Sequence, residues 1–224
     1  MKCLIFDSSS IINLALNGLT DLLVKLKKIF GGKFIISSHV KYEVIDHPLK
    51  IREFKLNALK IKKLIDSKII EFPESISLSK LDIEKKINEI IREVNHAYTA
   101  DVPISLVHQG EASCLAISLL LTEKNIDNAI VIDERTTRLI VEMPINLKKL
   151  LEKKLHTNIN LDEKHISKYK NIKIIRTPEI LFVAYKNNLL DIENKEDLDA
   201  YLYAAKIKGT SIAEEEIKEI ESMG

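Results

Sequence analysis

Two short apolar runs of this chain each end in an aspartate, and no other feature restricts the fold as much. Residues 2–6 are followed by Asp7, and residues 129–132 are followed by Asp133. Runs of this length and composition are typical of buried strands. In doubly wound sheets, ligands bind in the crevice outside the carboxyl ends of the strands. We therefore expect both aspartates to face one crevice, where their charges repel each other unless a cation lies between them.

Strands and helices alternate along the rest of the chain. Further strands are predicted at residues 33–36, 68–72 and 172–175, and the segments between strands mostly show the helical period of apolar residues. This alternation favours parallel βαβ units. The sequence thus predicts an α/β fold with a central parallel sheet of about five strands and further helices at its C-terminal end.

Three predicted helices have apolar residues that indicate which faces are buried. Residues 112–121 are almost all apolar or small, so this helix is expected to lie in the core. It follows a loop through Asp101 and Pro103. Two other helices carry apolar stripes at roughly helical spacing. These stripes are Leu56, Leu59, Leu64 and Ile65 in one helix, and Leu81, Ile87, Ile90, Ile91 and Val94 in the other.

Length and composition favour one ordered domain that spans residues 1–224. Hydrophobic residues make up 46% of the 224 residues, and there are only 6 Gly and 5 Pro, so the chain can bury a substantial core. No apolar run approaches the ~20 residues that cross a bilayer, and the first apolar stretch is too short for a signal peptide. Cys3 and Cys114 lack a CxxC pattern, which indicates core cysteines. A cytoplasmic protein without a membrane partner is expected.

Positive charge is concentrated in one segment, although the formal net charge is only +1. Between Val141 and Arg176 there are nine Lys and Arg against four Asp and Glu. Such a segment can attract phosphate groups locally. The alternative is that its lysines only solvate helix faces. The nine basic residues are Lys148, Lys149, Lys153, Lys154, Lys164, Lys168, Lys170, Lys173 and Arg176.

Two glutamates fall on helices that border the same crevice. Glu43 lies in the helix after the second strand, and Glu111 opens the apolar helix before the fourth. Glu134 directly follows the second aspartate, and Ser9 is placed to orient the first, since metal-binding carboxylates usually need such hydrogen bonds. Oxygen ligands without matched histidine or cysteine favour a hard cation such as Mg²⁺ or Mn²⁺. The pattern indicates a metal-dependent phosphodiesterase site.

Each of these residues also has a purely structural alternative. An aspartate at a strand end commonly caps the next helix, and the helix dipole favours a glutamate in a first turn. Thr137 and Arg138 lie one turn after Asp133, where the arginine could hold a phosphate through two hydrogen bonds or pair with an acid. His108, three residues before Glu111, is more often an incidental loop histidine than a proton carrier.

With these residues in view, the chain resembles the PIN-domain family of metal-dependent nucleases, in particular a toxin-like prokaryotic subgroup. Four segments match that family's acidic motifs in order: LIFDSSSIINL, SHVKYEVI, HQGEASCLAISL and AIVIDERTTRLI. The tail segments RTPEILFVAYKNNLL and GTSIAEEEIKEI also match the subgroup. The resemblance implies a three-layer α/β/α fold and two overlapping sets of acids. The catalytic set is Asp7, Glu43, Glu111 and Asp133, and the metal-binding set is Asp7, Glu111, Asp133 and Glu134.

The resemblance also implies an activity. A member of this family is expected to be an endoribonuclease that cleaves single-stranded or structured RNA with Mg²⁺ or Mn²⁺, leaving 5′-phosphate and 3′-hydroxyl ends. The family includes toxins with protein antitoxins, dimers, and members without proven activity. The implied partners are therefore RNA, a second copy of the chain and an antitoxin-like protein. Ser9, Thr137 and Arg138 are expected to support the acids or to bind substrate.

Residues 144–170 form a longer connection than the family usually has between the fourth and fifth strands. Because this segment is also the most basic, it is either an added RNA- or partner-binding element or an inert insertion. The alternative function is a catalytically silent PIN-like module that binds RNA or protein. Phospho-acceptor domains are disfavoured. A haloacid-dehalogenase-type domain needs aspartate where Ser9 stands, and a receiver needs one after the third strand, where Glu71 and Phe72 stand.

Overall fold

The computed structural model describes residues 1–101, 104–192 and 195–223, without the side chain of Lys195. The predicted loop residue Pro103 lies outside the described residues. Within them, six strands are found. They are β1 (Lys2–Phe6), β2 (Lys33–Ile35), β3 (Tyr98–Thr99), β4 (Asp127–Val131), β5 (Asn160–Leu161) and β6 (Ile174–Ile175).

Eleven α-helices surround these strands in the described part of the chain. The first six are α1 (Ser8–Leu16), α2 (Thr20–Phe30), α3 (Ser38–Lys41), α4 (Lys55–Asp66), α5 (Lys80–Ala97) and α6 (Gln109–Glu123). The other five are α7 (Arg135–Glu142), α8 (Pro144–Leu155), α9 (Thr177–Lys186), α10 (Lys195–Ile207) and α11 (Glu214–Ser222).

The central sheet has four parallel strands in the order β2-β1-β4-β6. This confirms an α/β fold with a parallel sheet flanked by helices, but the prediction of about five strands was wrong by one. Residues 68–72 contribute a single parallel bridge, between Glu71 and Ile35. The ladder stops there because Pro73 has no N–H to donate and begins a 3₁₀ turn, Pro73–Ile76.

A second, two-stranded sheet was not predicted from the sequence. β3 and β5 pair in antiparallel fashion, with Tyr98 opposite Leu161 and Thr99 opposite Asn160. Strands of two residues carry no readable periodicity, so this contact could not be inferred from the apolar pattern. It attaches the basic segment 144–170, which folds as α8, β5 and 3₁₀ turns, to the end of α5.

The core lies between the sheet and its helices, and α6 is its most buried helix. This helix packs against α5, β1 and β4, and its residues Cys114 to Ile117 are 0% exposed. Both cysteines are buried and unpaired, as predicted. None of the described helices has the length and apolarity needed to span a membrane.

Two predicted apolar stripes were partly wrong. In α4, Leu56 is 65% exposed and Leu59 is 42% exposed, because α1 and α2 cover the opposite face of that helix. Leu81, at the second position of α5, is 64% exposed, whereas Ile87, Ile90 and Val94 of the same stripe are buried. The residues of α4 that are buried instead are Ala58, Ile61 and Leu64.

Candidate functional site

Asp7 lies at the carboxyl end of β1 and caps the N-terminus of α1. Its side chain is 1% exposed, and its Oδ2 accepts hydrogen bonds from the Ser9 N–H at 2.9 Å and the Ser9 hydroxyl at 2.5 Å. Its Oδ1 is buried and has no hydrogen-bond partner among the described residues. Burial raises the pKa of Asp7 to about 7, and the carboxylates of Glu111 and Glu43 add to the shift. Capping therefore explains one oxygen and leaves the other unexplained.

Ser9 joins the two strand ends. Its hydroxyl donates to Asp7 and accepts the backbone N–H of Asp133 at 3.0 Å. The neighbouring Ser10 hydroxyl donates to the carbonyl oxygens of Asp7 and Val131. The donor role expected for Ser9 is thus present, and β1 and β4 are fixed in register where the acids emerge.

Glu43 lies on a π turn, Tyr42–Asp46, which continues α3 after the second strand. Single π turns are rare and frequently lie at functional sites. The carboxylate of Glu43 rests on Gly110: a Cβ at that glycine would lie 2.7 and 2.8 Å from its two oxygens. A residue larger than glycine at this position would require the carboxylate to move. The π turn and Gly110 therefore act together to place Glu43 beside Glu111.

Glu111 lies in the first turn of α6. Its Oε2 accepts the backbone N–H of His108 at 3.1 Å, which satisfies one free donor at the start of the helix. Burial raises the pKa of Glu111, and the carboxylates of Glu134 and Glu43 raise it further. Glu111 is thus electrostatically coupled to three other acids of the predicted set, including Asp7.

Asp133 points toward a different set of partners. It is 1% exposed; its Oδ1 accepts the Thr177 N–H at 2.8 Å and its Oδ2 accepts the Thr177 hydroxyl at 2.7 Å. Burial raises the pKa of Asp133, hydrogen bonds from Thr177 and Thr210 oppose that shift, and the carboxylate of Glu179 adds to it. Asp133 therefore has a structural role: its carboxylate, at the carboxyl end of β4, connects that strand to α9.

Glu134 caps α7. Its two oxygens accept the N–H groups of Thr136 and Thr137, each at 2.7 Å. Thr137 is buried, and its hydroxyl has no partner. Arg138 takes the acid-pairing alternative: its Nη1 donates to the Ser211 carbonyl at 2.9 Å and its Nε lies 3.6 Å from Glu142. Arg138 therefore contacts Ser211 in the C-terminal segment between α10 and α11.

A buried polar network attaches this C-terminal segment to the sheet. The Nδ2 of Asn13 donates to the Ala205 carbonyl at 2.8 Å and to the Thr210 hydroxyl at 2.9 Å. Thr210 in turn bonds Asp133. Arg176 adds a second contact to the Ser211 carbonyl at 3.3 Å. Residues from α1, β4, α9 and the turn after α10 therefore meet at one edge of the sheet.

The acidic cluster of this edge consists of Asp7, Glu43, Glu111 and Glu134. The carboxylates of Glu111 and Glu43 raise the pKa of Asp7, and the carboxylates of Glu134 and Glu43 raise the pKa of Glu111. Among the described residues, no three His, Cys, Asp or Glu side chains converge closely enough to hold one cation as they stand. Both oxygens of Glu134 accept hydrogen bonds in its helix cap and both oxygens of Asp133 accept them from Thr177, so two of the predicted ligands already have protein donors.

Comparison with models of protein families, with curated proteins and with solved structures gives no match for this chain. The site is therefore characterised by its own side chains. They supply carboxylate oxygens, one of them buried without a donor, and neither cysteine nor histidine is among the predicted ligands. This donor set fits a hard divalent cation in its chemistry, with rotation of the glutamate side chains required to complete the coordination.

Glu43 borders a mostly apolar cavity between α1 and α4, and two further cavities open beside the acidic cluster. One, of about 500 Å³, has Glu111 and Glu134 in its wall, and α8 forms the opposite side. The other, of about 570 Å³, lies between Glu43 and the start of α6. His108 borders both cavities. The cluster is thus buried at Asp7 and accessible at its glutamates.

Sequence reasoning missed four residues of this edge: Asn13, Gly110, Thr177 and Thr210. The glycine was visible next to Glu111, but its role depends on a carboxylate far away in the chain. The other three are hydroxyl and amide residues: Asn13 lies inside α1, Thr177 at the start of α9 and Thr210 in the turn after α10. No spacing relates them to the aspartates.

Proposed function

We propose that this protein is a metal-dependent endoribonuclease of the PIN type. The observation that carries the proposal is the Oδ1 of Asp7, a buried carboxylate oxygen without a donor, beside the carboxylates of Glu43 and Glu111. A buried acceptor left unpaired costs about 1–3 kcal/mol, more for a charged group. A cation held at this oxygen removes that cost and the repulsion among the acids.

Asp7, Glu111 and Glu134 are the residues proposed to hold Mg²⁺ or Mn²⁺, with Glu43 beside them and Asp133 contributing its remaining lone pairs. A bound cation of this kind supplies a polarised water and offsets charge on the phosphate that is attacked. The protein contributes position: Ser9 fixes Asp7, Gly110 admits Glu43, and Thr177 fixes the end of β4.

Glu111 lies in the first turn of α6 in the wall of the cavity of about 500 Å³, where burial and the carboxylates of Glu134 and Glu43 raise its pKa. As a proposed ligand, it would place the cation at this wall. Asp7 is fully buried and serves as an anchor for the cation.

The test is cleavage of an end-labelled single-stranded RNA by the purified protein with Mn²⁺ or Mg²⁺, with EDTA as a control. Cleavage is expected to require the metal, to fall at least about a hundredfold in Asp7→Asn, and to leave 5′-phosphate ends. The matched control is Asp127→Asn, because Asp127 begins β4 at the opposite end of the sheet and is exposed. Equal cleavage by Asp7→Asn and wild type would contradict the proposal.

A silent binding module is the alternative function. It is favoured by the commitments of Asp133 to Thr177 and of Glu134 to its helix cap, which leave no preformed three-ligand site among the described residues. RNA binding with no cleavage at any Mn²⁺ concentration, by protein with an intact melting transition, would select this alternative.

A further inference from the structure

One face of α8 forms a wall of the cavity of about 500 Å³ described above, here called the α8 groove. The residues of that face are spaced i, i+3, i+4, i+7 and i+8, so they belong to a single helical stripe. Four are leucines and one is Lys154. Leu147 and Leu151 are buried beneath the wall, while Leu150 and Leu155 keep part of their surface exposed. The stripe is Leu147, Leu150, Leu151, Lys154 and Leu155.

The rest of the lining carries the polar groups of the groove, together with Ile104 and Leu106. Glu111 and Thr136 come from the first turns of α6 and α7, and Glu134 and His108 cap those helices. The groove therefore has an aliphatic side and a side of hydrogen-bonding groups, and the acidic cluster lies at the polar side. This arrangement suits a ligand that combines a flat ring with polar edges and an attached anionic group.

Free positive charge lies on the same helix. Lys149, Lys153 and Lys154 are exposed and form no ion pair or hydrogen bond with a described residue. Most other cations of the basic segment are paired. The pairs are Lys148 with Glu152, Lys168 with Glu89 and Glu93, Lys170 with Glu163, Lys173 with Asp127, and Arg176 with Glu179 and Glu216.

The segment that carries these lysines is firmly held. The carbonyl of Pro144, the first residue of α8, accepts the Tyr98 hydroxyl at 3.2 Å, and β5 pairs with β3 beyond the helix. Further along, the Tyr169 hydroxyl donates to Glu93 at 2.6 Å. A wall attached at both ends keeps its distance from the acids, as a substrate-binding surface needs.

Lys154 belongs to the stripe that lines the groove, whereas Lys149 and Lys153 lie on the exposed side of α8. We propose that the α8 groove binds one unpaired nucleotide of an RNA strand, with its base against Leu150 and Leu155 and its phosphate at Lys154, and that the strand continues over the exposed side of α8 past Lys153 and Lys149. The inference rests on the proposed function and deepens it, because it makes the substrate single-stranded at the point of cleavage. It assigns α8 as an RNA-binding element.

Three features favour this occupant. The volume lies within the range of about 300–1,000 Å³ typical of small-ligand sites, which admits a nucleotide and excludes a duplex. Phosphates are the complementary charge for lysines that lack partners in the described structure. Unpaired bases are the parts of RNA that proteins hold in pockets, whereas paired bases are hidden in the helix.

The experiment measures binding of a short fluorescent RNA by anisotropy in the Asp7→Asn background, which removes turnover. Replacement of Lys149, Lys153 and Lys154 by alanine together is expected to weaken binding of a single strand at least about tenfold and to lower the slope of log Kd against log salt by about two. The matched control is Lys63→Ala, an exposed lysine without an ion pair on α4, which should leave both quantities unchanged.

A separate variant tests the contact between the base and the leucines of α8. Leu150→Ala in the otherwise wild-type chain should raise KM for RNA several-fold and change kcat little, while a fully paired hairpin should bind weakly to every variant. DNA of the same sequence distinguishes recognition of the phosphates from recognition of the ribose. Circular dichroism and melting of each variant exclude loss of the fold as the cause.

The outcomes separate this inference from the proposed function. Metal- and Asp7-dependent cleavage with an unchanged Kd in the triple lysine variant overturns the groove and leaves the nuclease. Lysine-dependent binding of single strands without cleavage supports the groove and overturns the nuclease. Equal affinity for duplex and single strand, or no RNA binding at all, overturns the groove.

Discussion

At the residue scale, Asp7 combines full burial with a titratable charge. Burial raises its pKa from 3.8 to about 7, and Glu111 and Glu43 contribute to the shift. A carboxyl group whose folded pKa exceeds its unfolded pKa binds its proton more tightly in the folded state. It therefore reduces the free energy of unfolding as the pH rises from about 4 to about 7, and the loss is complete above that range.

Asp7→Asn should consequently stabilise the metal-free protein above pH 7. One pKa unit corresponds to about 1.4 kcal/mol, so we expect a gain on the order of 2 kcal/mol or more in the free energy of unfolding at about pH 8. The gain should shrink on acidification and vanish near pH ~4. Urea unfolding in EDTA across this pH range measures it.

The control for this prediction is Asp127→Asn. Lys173 lowers the pKa of Asp127 through a hydrogen bond, so removing that carboxylate relieves no strain and should give no gain at any pH. A stability difference between Asp7→Asn and wild type that does not depend on pH would show that the buried charge of Asp7 is not its cause.

Some of the site could be predicted at this scale and some could not. The contact of Ser9 with Asp7 follows from two residues of separation, the reach of an N-cap. The partners of Asp133 lie at positions 177 and 210, and nothing in the local pattern pairs them with it. The acid was visible in the sequence; its hydrogen bonds depend on the tertiary fold.

At the element scale, the π turn after α3 meets the start of α6 at Gly110. Gly110→Ala would bring a Cβ to within 2.7 Å of the Glu43 carboxylate, which is the mobile end of its side chain. Because Gly110 lies in the first turn of α6, the helix gains less than the about 1 kcal/mol by which alanine exceeds glycine in a helix interior. We expect unchanged or higher stability together with a Mn²⁺ affinity lowered by about tenfold.

Calorimetric titration with Mn²⁺ tests this prediction, and a double-mutant cycle locates the cause. In the Glu43→Gln background, Gly110→Ala should have little further effect on Mn²⁺ binding, because the displaced group has already lost its charge. An additive loss would instead show that Gly110 acts through another part of α6.

The elements themselves were predicted well where the apolar period was long. α5 and α6 match their predicted segments closely, whereas the third strand shrinks to the bridge at Glu71. Five residues with only three apolar side chains do not reveal how far the ladder extends before Pro73, because the ion pairs of Glu71 with Lys27 and Lys33 form only in the folded chain. Which face of α4 is buried likewise depended on α1 and α2.

At the scale of the whole molecule, one hydrophobic cluster extends from Cys3 to Ile220 and includes residues of the basic segment. Tyr169 is 0% exposed within that cluster, and its hydroxyl bonds Glu93 of α5. The segment should therefore unfold together with the sheet. Tyr169→Phe removes one hydrogen bond of about 1 kcal/mol and should lower the Tm by about 2–4 °C without dividing the transition.

Differential scanning calorimetry distinguishes the outcomes. Tyr42→Phe is the matched control, because Tyr42 is 53% exposed and its hydroxyl has no hydrogen bond among the described residues, so its Tm should not change. A separate transition at lower temperature in Tyr169→Phe would mean that residues 144–170 fold as an independent unit.

The polar network around Thr210 has a consequence for the order in which the protein is made. Asp7 and Asp133 leave the ribosome well before Thr210 and Ser211, which hold Asp133 and Arg138 in place. Until those later residues emerge, the carboxyl end of β4 lacks part of its hydrogen-bonding support. A nascent chain therefore carries all of the acids of this edge before their hydrogen-bonding support is complete, so this edge of the sheet is assembled only late in translation.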